Sequence, residues 1–230
     1  MRISRIHRPA ALVAGLALGL ACSDSTGVND TGSLTITLQQ VEDAAAPAAS
    51  GWYASVADVA ESLDPSQVAS LTVTVTRLEF LVGTTGDALP DSSWQELALP
   101  TPAAIDLMNL PLESESPLVL VAGSVPVGSY RHVRLFVSEA LIEFAEQVVI
   151  GATFTFEPDT PYAVTIPSVE ATGITTDITF TVAADAEGNG TEVQLLFDPA
   201  ATLANVTANG AEAVMLTPII NAAIRTQTGG

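Results

Sequence analysis

The chain has no lysine, one cysteine and two histidines among 230 residues. Each shortage removes a class of chemistry. A single cysteine forbids an intramolecular disulfide, so stability must rest on a packed core. With no cysteine or histidine cluster, zinc and copper lack their usual thiolate and imidazole ligands. A Ser–His–Asp arrangement would have to use His132, because His7 lies in the basic opening segment, and there is no G-x-S-x-G elbow. Aromatic residues make up only 5% of the chain, few for the ring-lined groove of a glycosidase. Paired carboxylates for a hydrolase can nevertheless be drawn anywhere in so acidic a sequence. The residues therefore speak against an enzyme, a carboxylate-based hydrolase being the remaining catalytic option.

What is present begins at the N-terminus. Arg2, Arg5 and Arg8 precede an apolar run from Ala10 to Ala21, too short to span a bilayer, and the only cysteine, Cys22, follows directly. A small residue followed by Cys at the end of such a leader resembles the lipobox of bacterial lipoproteins. The position three before the cysteine is Gly19 where Leu is usual, with Leu18 and Leu20 beside it. The resemblance implies cleavage of residues 1–21, lipidation of Cys22 and a membrane anchor. Residues 22–32 then read as a flexible tether. Ser23 after the cysteine implies the outer membrane of the cell envelope, periplasmic or surface-exposed. The plainer alternative is an ordinary secretory signal with an unmodified cysteine.

Three of the seven arginines lie in that leader and none of the 26 acidic residues do. The remaining basic residues are Arg77, Arg131, Arg134 and Arg225. So negative a molecule repels nucleic acid and anionic lipid headgroups, and attracts divalent cations and basic polymers. It also reads simply as a solvated acidic coat.

From Ser33 onward the pattern is mostly strand. Leu71, Val73 and Val75 alternate with Thr72, Thr74 and Thr76, the period-two signature of a half-buried strand. After Arg77 the apolar parity switches to Leu78, Phe80 and Val82, which predicts a bulge or a crossing between sheets. Similar runs follow at Trp94–Leu99, Ile105–Leu110, Leu118–Val125, Tyr130–Val137, Leu141–Phe144, Val148–Phe156, Tyr162–Ile166, Ile174–Val182, Val193–Phe197 and Ala213–Ile224, separated by turn sequences such as PVGS, EPDTP and DAEGNG. The fold class expected is all-β: an antiparallel β-sandwich, with one short helical insertion. Ser55–Gln67 carries helical spacing stopped at Pro65, and Pro199–Ala204 could form one turn of helix. One domain of residues 33–225 is expected, interrupted by an insertion at about 39–70 and followed by a tail, 226–230.

Several blocks in order resemble the domain of unknown function 4382, found in exported bacterial and archaeal proteins. They are SLTITL (Ser33–Leu38), LTVTVTRLEFLV (Leu71–Val82), SWQELAL with AAIDLMNL, VPVGSYRHVRLFV (Val125–Val137), and VQLLFDPAATLAN with VMLTPIINAAI. The resemblance implies an immunoglobulin-like or transthyretin-like sandwich and no known activity. It leaves the Gln39–Ser70 stretch unexplained.

Within these limits the candidate site residues are few. Calcium, which needs only oxygen ligands, is the one cofactor suggested, at Asp185, Glu187 and Asn189; the same loop reads equally as a glycine-rich hairpin turn. Glu113/Glu115 and Glu157/Asp159 are further acidic loops. Trp52 and Tyr53 could stack on a glycan or plug the insertion onto the sandwich, and Trp94 and Tyr162 are the other large rings near loops. Arg134 is expected to pair across strands with Glu79 or Glu139. The expected role is a lipid-anchored, non-catalytic surface binding or adhesion module, its partner a glycan or a protein at the envelope. A purely structural envelope lipoprotein is the alternative.

Overall fold

The computed structural model describes residues 30–42, 62–83, 94–151, 153–167, 169–184 and 190–226. Strands dominate it. They are β1 (Thr31–Gln40), β2 (Val68–Val82), β3 (Trp94–Asp106), β4 (Leu118–Pro126), β5 (Gly128–Phe144), β6 (Val148–Ile150) and β7 (Phe154–Phe156), followed by β8 (Tyr162–Thr165), β9 (Ile174–Val182), β10 (Thr191–Asp198), β11 (Thr207–Ala208), β12 (Ala213–Met215) and β13 (Ile219–Thr226). Two single-turn helices, α1 (Val169–Thr172) and α2 (Pro199–Leu203), complete the described elements together with short 3-10 turns. The turn expected at Pro199–Ala204 is α2, capped by the Asp198 carboxylate, which accepts from the Ala201 N–H at 2.8 Å. Of the helical spacing in Ser55–Gln67, only the end is described, a 3-10 turn at Pro65–Gln67 with Asp64 as its cap.

A four-stranded sheet runs β13-β10-β1-β4, and a seven-stranded sheet runs β11-β12-β8-β5-β2-β3 with β9 also beside β5. One continuous hydrophobic cluster joins them: Leu34, Ile36 and Leu38 of β1 and Val193, Leu195 and Phe197 of β10 on one side, Leu71, Phe80, Tyr130 and Ile142 on the other. At roughly 1.5–3 kcal/mol per fully buried large side chain, this cluster supplies the driving force that a disulfide-free chain requires. The protein is an all-β, sandwich-like fold. Its sheets are mixed where antiparallel pairing was expected, because β1 runs parallel to β10 and β12 parallel to β8. Side-chain alternation is the same in either direction, so sequence periodicity is blind to this choice.

The parity switch in β2 is a bulge. Its register shifts between Val75 and Arg77 against both neighbours, β3 and β5. Against β5 Thr76 is the extra residue, its hydroxyl donating to the Phe136 carbonyl at 3.2 Å; against β3 the excess lies on the partner, whose residues 99–102 have no register partner. Leu78 and Phe80 thereby regain the core face, and Arg77 and Glu79 turn outward. A second irregularity lies in β5. Phe80 and Leu81 of β2 face Val133 and Arg131, so His132 is skipped, and its backbone takes a left-handed φ of 54°. Close packing also selects Gly32 in β1, where any Cβ would collide with the Ala183 carbonyl and the Val182 side chain.

Candidate functional site

The two bulges set up the outer face of the large sheet. Across β5, β2 and β3, one register row reads Arg134–Glu79–Glu96, and the next reads Phe136–Arg77–Ala98. Cross-strand neighbours on one sheet face touch. Arg134 Nε donates to Glu79 Oε2 at 2.6 Å, and its Nη2 makes a second contact with the same oxygen. Arg77 Nε lies 2.8 Å from the other oxygen, Oε1, as an ion pair whose N–H is not aligned for a hydrogen bond. One buried carboxylate thus holds two guanidinium groups. The expected partner of Arg134 was Glu79 or Glu139, and it is Glu79.

Both guanidinium planes also lie on rings. The Arg134 carbon Cζ sits 3.7 Å from the centroid of Trp94, and that of Arg77 sits 3.9 Å from Phe136. Phe136 is 8% exposed, so the ring beneath Arg77 is fixed. The Arg77 side chain is 41% exposed against 20% for Arg134. Arg134 is a pillar, enclosed between its carboxylate and its ring. Arg77 presents an open guanidinium on a rigid support, and cation–π contact keeps it flat.

Arg131 belongs to the same face, its register partner on β2 being Leu81 and on β9 Thr179. Of Arg77, Arg131, Arg134 and Arg225, the first three are therefore gathered on β2 and β5. Beside them His132 Nδ1 lies 2.5 Å from Asp177 Oδ1 on β9. The strand histidine expected from the sequence is thus held by an exposed carboxylate at a bulge.

The other acidic loops have work of their own. Glu115 Oε2 accepts from the Leu112 N–H at 2.9 Å, Glu113 Oε2 from the Glu42 N–H at 3.4 Å, and Glu157 Oε1 from the Gln147 side chain at 2.8 Å. The Glu115 carboxylate braces its own turn, and those of Glu113 and Glu157 tie theirs to a neighbouring segment. Among the described residues no group of three or more His, Cys, Asp or Glu side chains could hold a metal ion. Cys22, Trp52, Tyr53, Asp185, Glu187 and Asn189 all lie outside the described residues. Tyr162 is in β8, where its hydroxyl accepts from the Glu157 N–H at 2.8 Å and its ring packs edge-on against Phe156.

A family model for a domain of unknown function, DUF4382, matches residues 55–218. The chain belongs to this family. The matched span of DUF4382 takes in all of β2 to β12 and hence every residue of the outer-face cluster; β1 precedes it and β13 follows it. No curated protein and no solved structure matches the chain. Within this DUF4382 domain, sequence reasoning found Arg134 and its acid but missed the stack as a unit. The signal was available: after the parity switch Arg77 and Glu79 share a face, as do Arg134 and Phe136 two residues apart on β5.

Proposed function

We propose that the protein is a lipid-anchored, non-catalytic binding module of the cell envelope, tethered through Cys22, with the outer face of the large sheet as its binding face. The observation that carries the reading is the stack of Trp94, Arg134, Glu79, Arg77 and Phe136. In a chain with so few basic residues, this face concentrates guanidinium groups and rings, the side chains that dominate recognition surfaces. Nothing in the arrangement favours turnover, since its carboxylate is spent on holding arginines and its histidine on Asp177.

Two measurements test the two halves of this reading. Expressed in a bacterial host, the full chain is expected in the membrane fraction, with Cys22→Ala released as soluble protein. Wild-type protein staying soluble would remove the anchor. The Cys22→Ala chain should bind isolated envelope fragments, and Trp94→Ala should lose that binding without a change in thermal midpoint. Equal retention of the two would remove the face. A purely structural role would leave envelope association intact in the Trp94 and Arg77 variants.

A further inference from the structure

We infer that this face takes an oligosaccharide bearing a carboxylate, with Arg77 as the carboxylate contact and Trp94 as the sugar-stacking surface. The inference rests on the binding-module reading and names its ligand class.

The argument starts from which groups remain available. β5 and β2 are hydrogen-bonded on both sides, so their backbone groups are already paired. A peptide strand lying over β2 and β5 would find no ladder to extend, the open ladder on this side among the described strands being the outer edge of β3. Over β2 and β5, recognition comes from side-chain planes. Those planes are the guanidinium groups of Arg77 and Arg134 and the half-buried ring of Trp94, one face of which Arg134 covers; Phe136 is buried beneath Arg77.

Arg77 supplies the ionic contact. Its Nε faces Glu79, its plane rests on Phe136, and its two terminal amino groups, with four N–H donors, have no partner among the described residues. A guanidinium edge of that kind matches a carboxylate in paired, parallel hydrogen bonds. Because the buried phenyl ring and Glu79 already hold the side chain, little rotamer freedom remains to be lost on binding.

Trp94 pairs in register with Leu81, four residues from Arg77 along β2, and the Arg134 guanidinium lies between the two side chains, against Trp94 on one side and sharing Glu79 with Arg77 on the other. A ligand that touches both Arg77 and Trp94 has to cross Arg134, which favours more than one sugar. The acidity of the rest of the molecule works against a long, dense polyanion, whose outer charges would meet carboxylates beyond the patch. The screening length of about 8 Å at physiological salt shields a short ligand confined to the patch.

The test uses the mature chain with Cys22→Ala in isothermal titration against trigalacturonate, its neutral methyl ester, and triaspartate. Saturable binding of trigalacturonate is expected, with the methyl ester at least tenfold weaker. Arg77→Gln and Arg77→Lys should each lose about tenfold or more, because an ammonium does not reproduce the planar fork. Trp94→Phe should lose severalfold, with thermal midpoints unchanged throughout. Equal affinity for acid and ester, or an undiminished Arg77→Gln, overturns the proposal. Triaspartate binding as tightly through Arg77 also overturns it, in favour of an acidic peptide. If envelope fragments still bind through Trp94 while trigalacturonate is silent, only the ligand class fails; if both are silent, the binding-face reading fails as well.

Discussion

Two rows of polar side chains run across strands on the outer faces of this sandwich, and they are built to opposite rules. On the four-stranded sheet, Thr37, Gln39, Glu192 and Gln194 lie opposite the core face yet are buried, with Gln39 at 0% exposure. Gln194 donates to the Gln39 amide oxygen, and Gln39 Nε2 donates to the Leu112 and Glu115 carbonyls at 2.7 and 2.8 Å. Thr37 donates to Glu192 at 3.1 Å. The loop that holds Leu112 and Glu115 closes over the Gln39 end of this row. On the seven-stranded sheet, the Arg134–Glu79–Arg77 row keeps one guanidinium 41% exposed. A closed amide row is judged by what it costs to open. An open guanidinium row is judged by what can still be added to it.

That contrast can be broken most forcefully on the sealed side. Gln39→Met keeps the shape but orphans two carbonyls and the Gln194 amide, and should cost about 2–4 kcal/mol of unfolding free energy in urea titration. Gln194→Met in the same background should then cost much less than it does alone, the sign of a shared network. Glu79→Gln comes next. It removes the charge that holds both arginines, and a loss of about 1–2 kcal/mol is expected, since its neighbours are partly solvated. Arg77→Gln sharpens the distinction: its stability cost should stay within about 0.5 kcal/mol, while ligand binding falls.

The smallest effect lies at the fully exposed end of the scale. Hydrogen bonds from the Ser66 side chain and backbone N–H hold the Asp64 carboxyl below its ordinary value. A depressed carboxylate contributes stability above its unfolded value that is lost as pH falls through the folded one. Asp64→Asn should therefore lower the thermal midpoint slightly at neutral pH and converge with the wild type as pH falls below about 4.

How much of this was legible follows from which features leave a trace in side-chain order. The β2 bulge did, because on a buried face a parity switch at Arg77 leaves a bulge or a crossing between sheets, and the register chooses the bulge. Arg134 with Glu79 was narrowed to two acids because cross-strand pairing obeys alternation. Strand merging left no such trace. The Trp94–Leu99 and Ile105–Leu110 runs join through Pro100 and Pro102 into β3, which runs to Asp106, as prolines are tolerated at a sheet edge. The Tyr130–Val137 and Leu141–Phe144 runs join as β5. In the other direction, Val148–Phe156 splits into the β6–β7 hairpin. The burial of both faces of β1 was invisible too, because the roof over Gln39 comes from residues more than seventy positions away. The aromatic half of the candidate site needed the register itself, since Trp94 and Arg134 are brought together only through β2.

The parallel pairing of β1 with β10 also has a mechanical side. Leu34 to Gln40 are bonded to Thr191–Phe197 along one edge, and β4 clasps the other. A pull on the chain ahead of β1 acts along the strand axis. It loads both ladders in shear, so the bonds must yield together rather than peel one at a time. A molecule held by its N-terminus against flow or against a bound surface would take that force on the strand best placed to resist it.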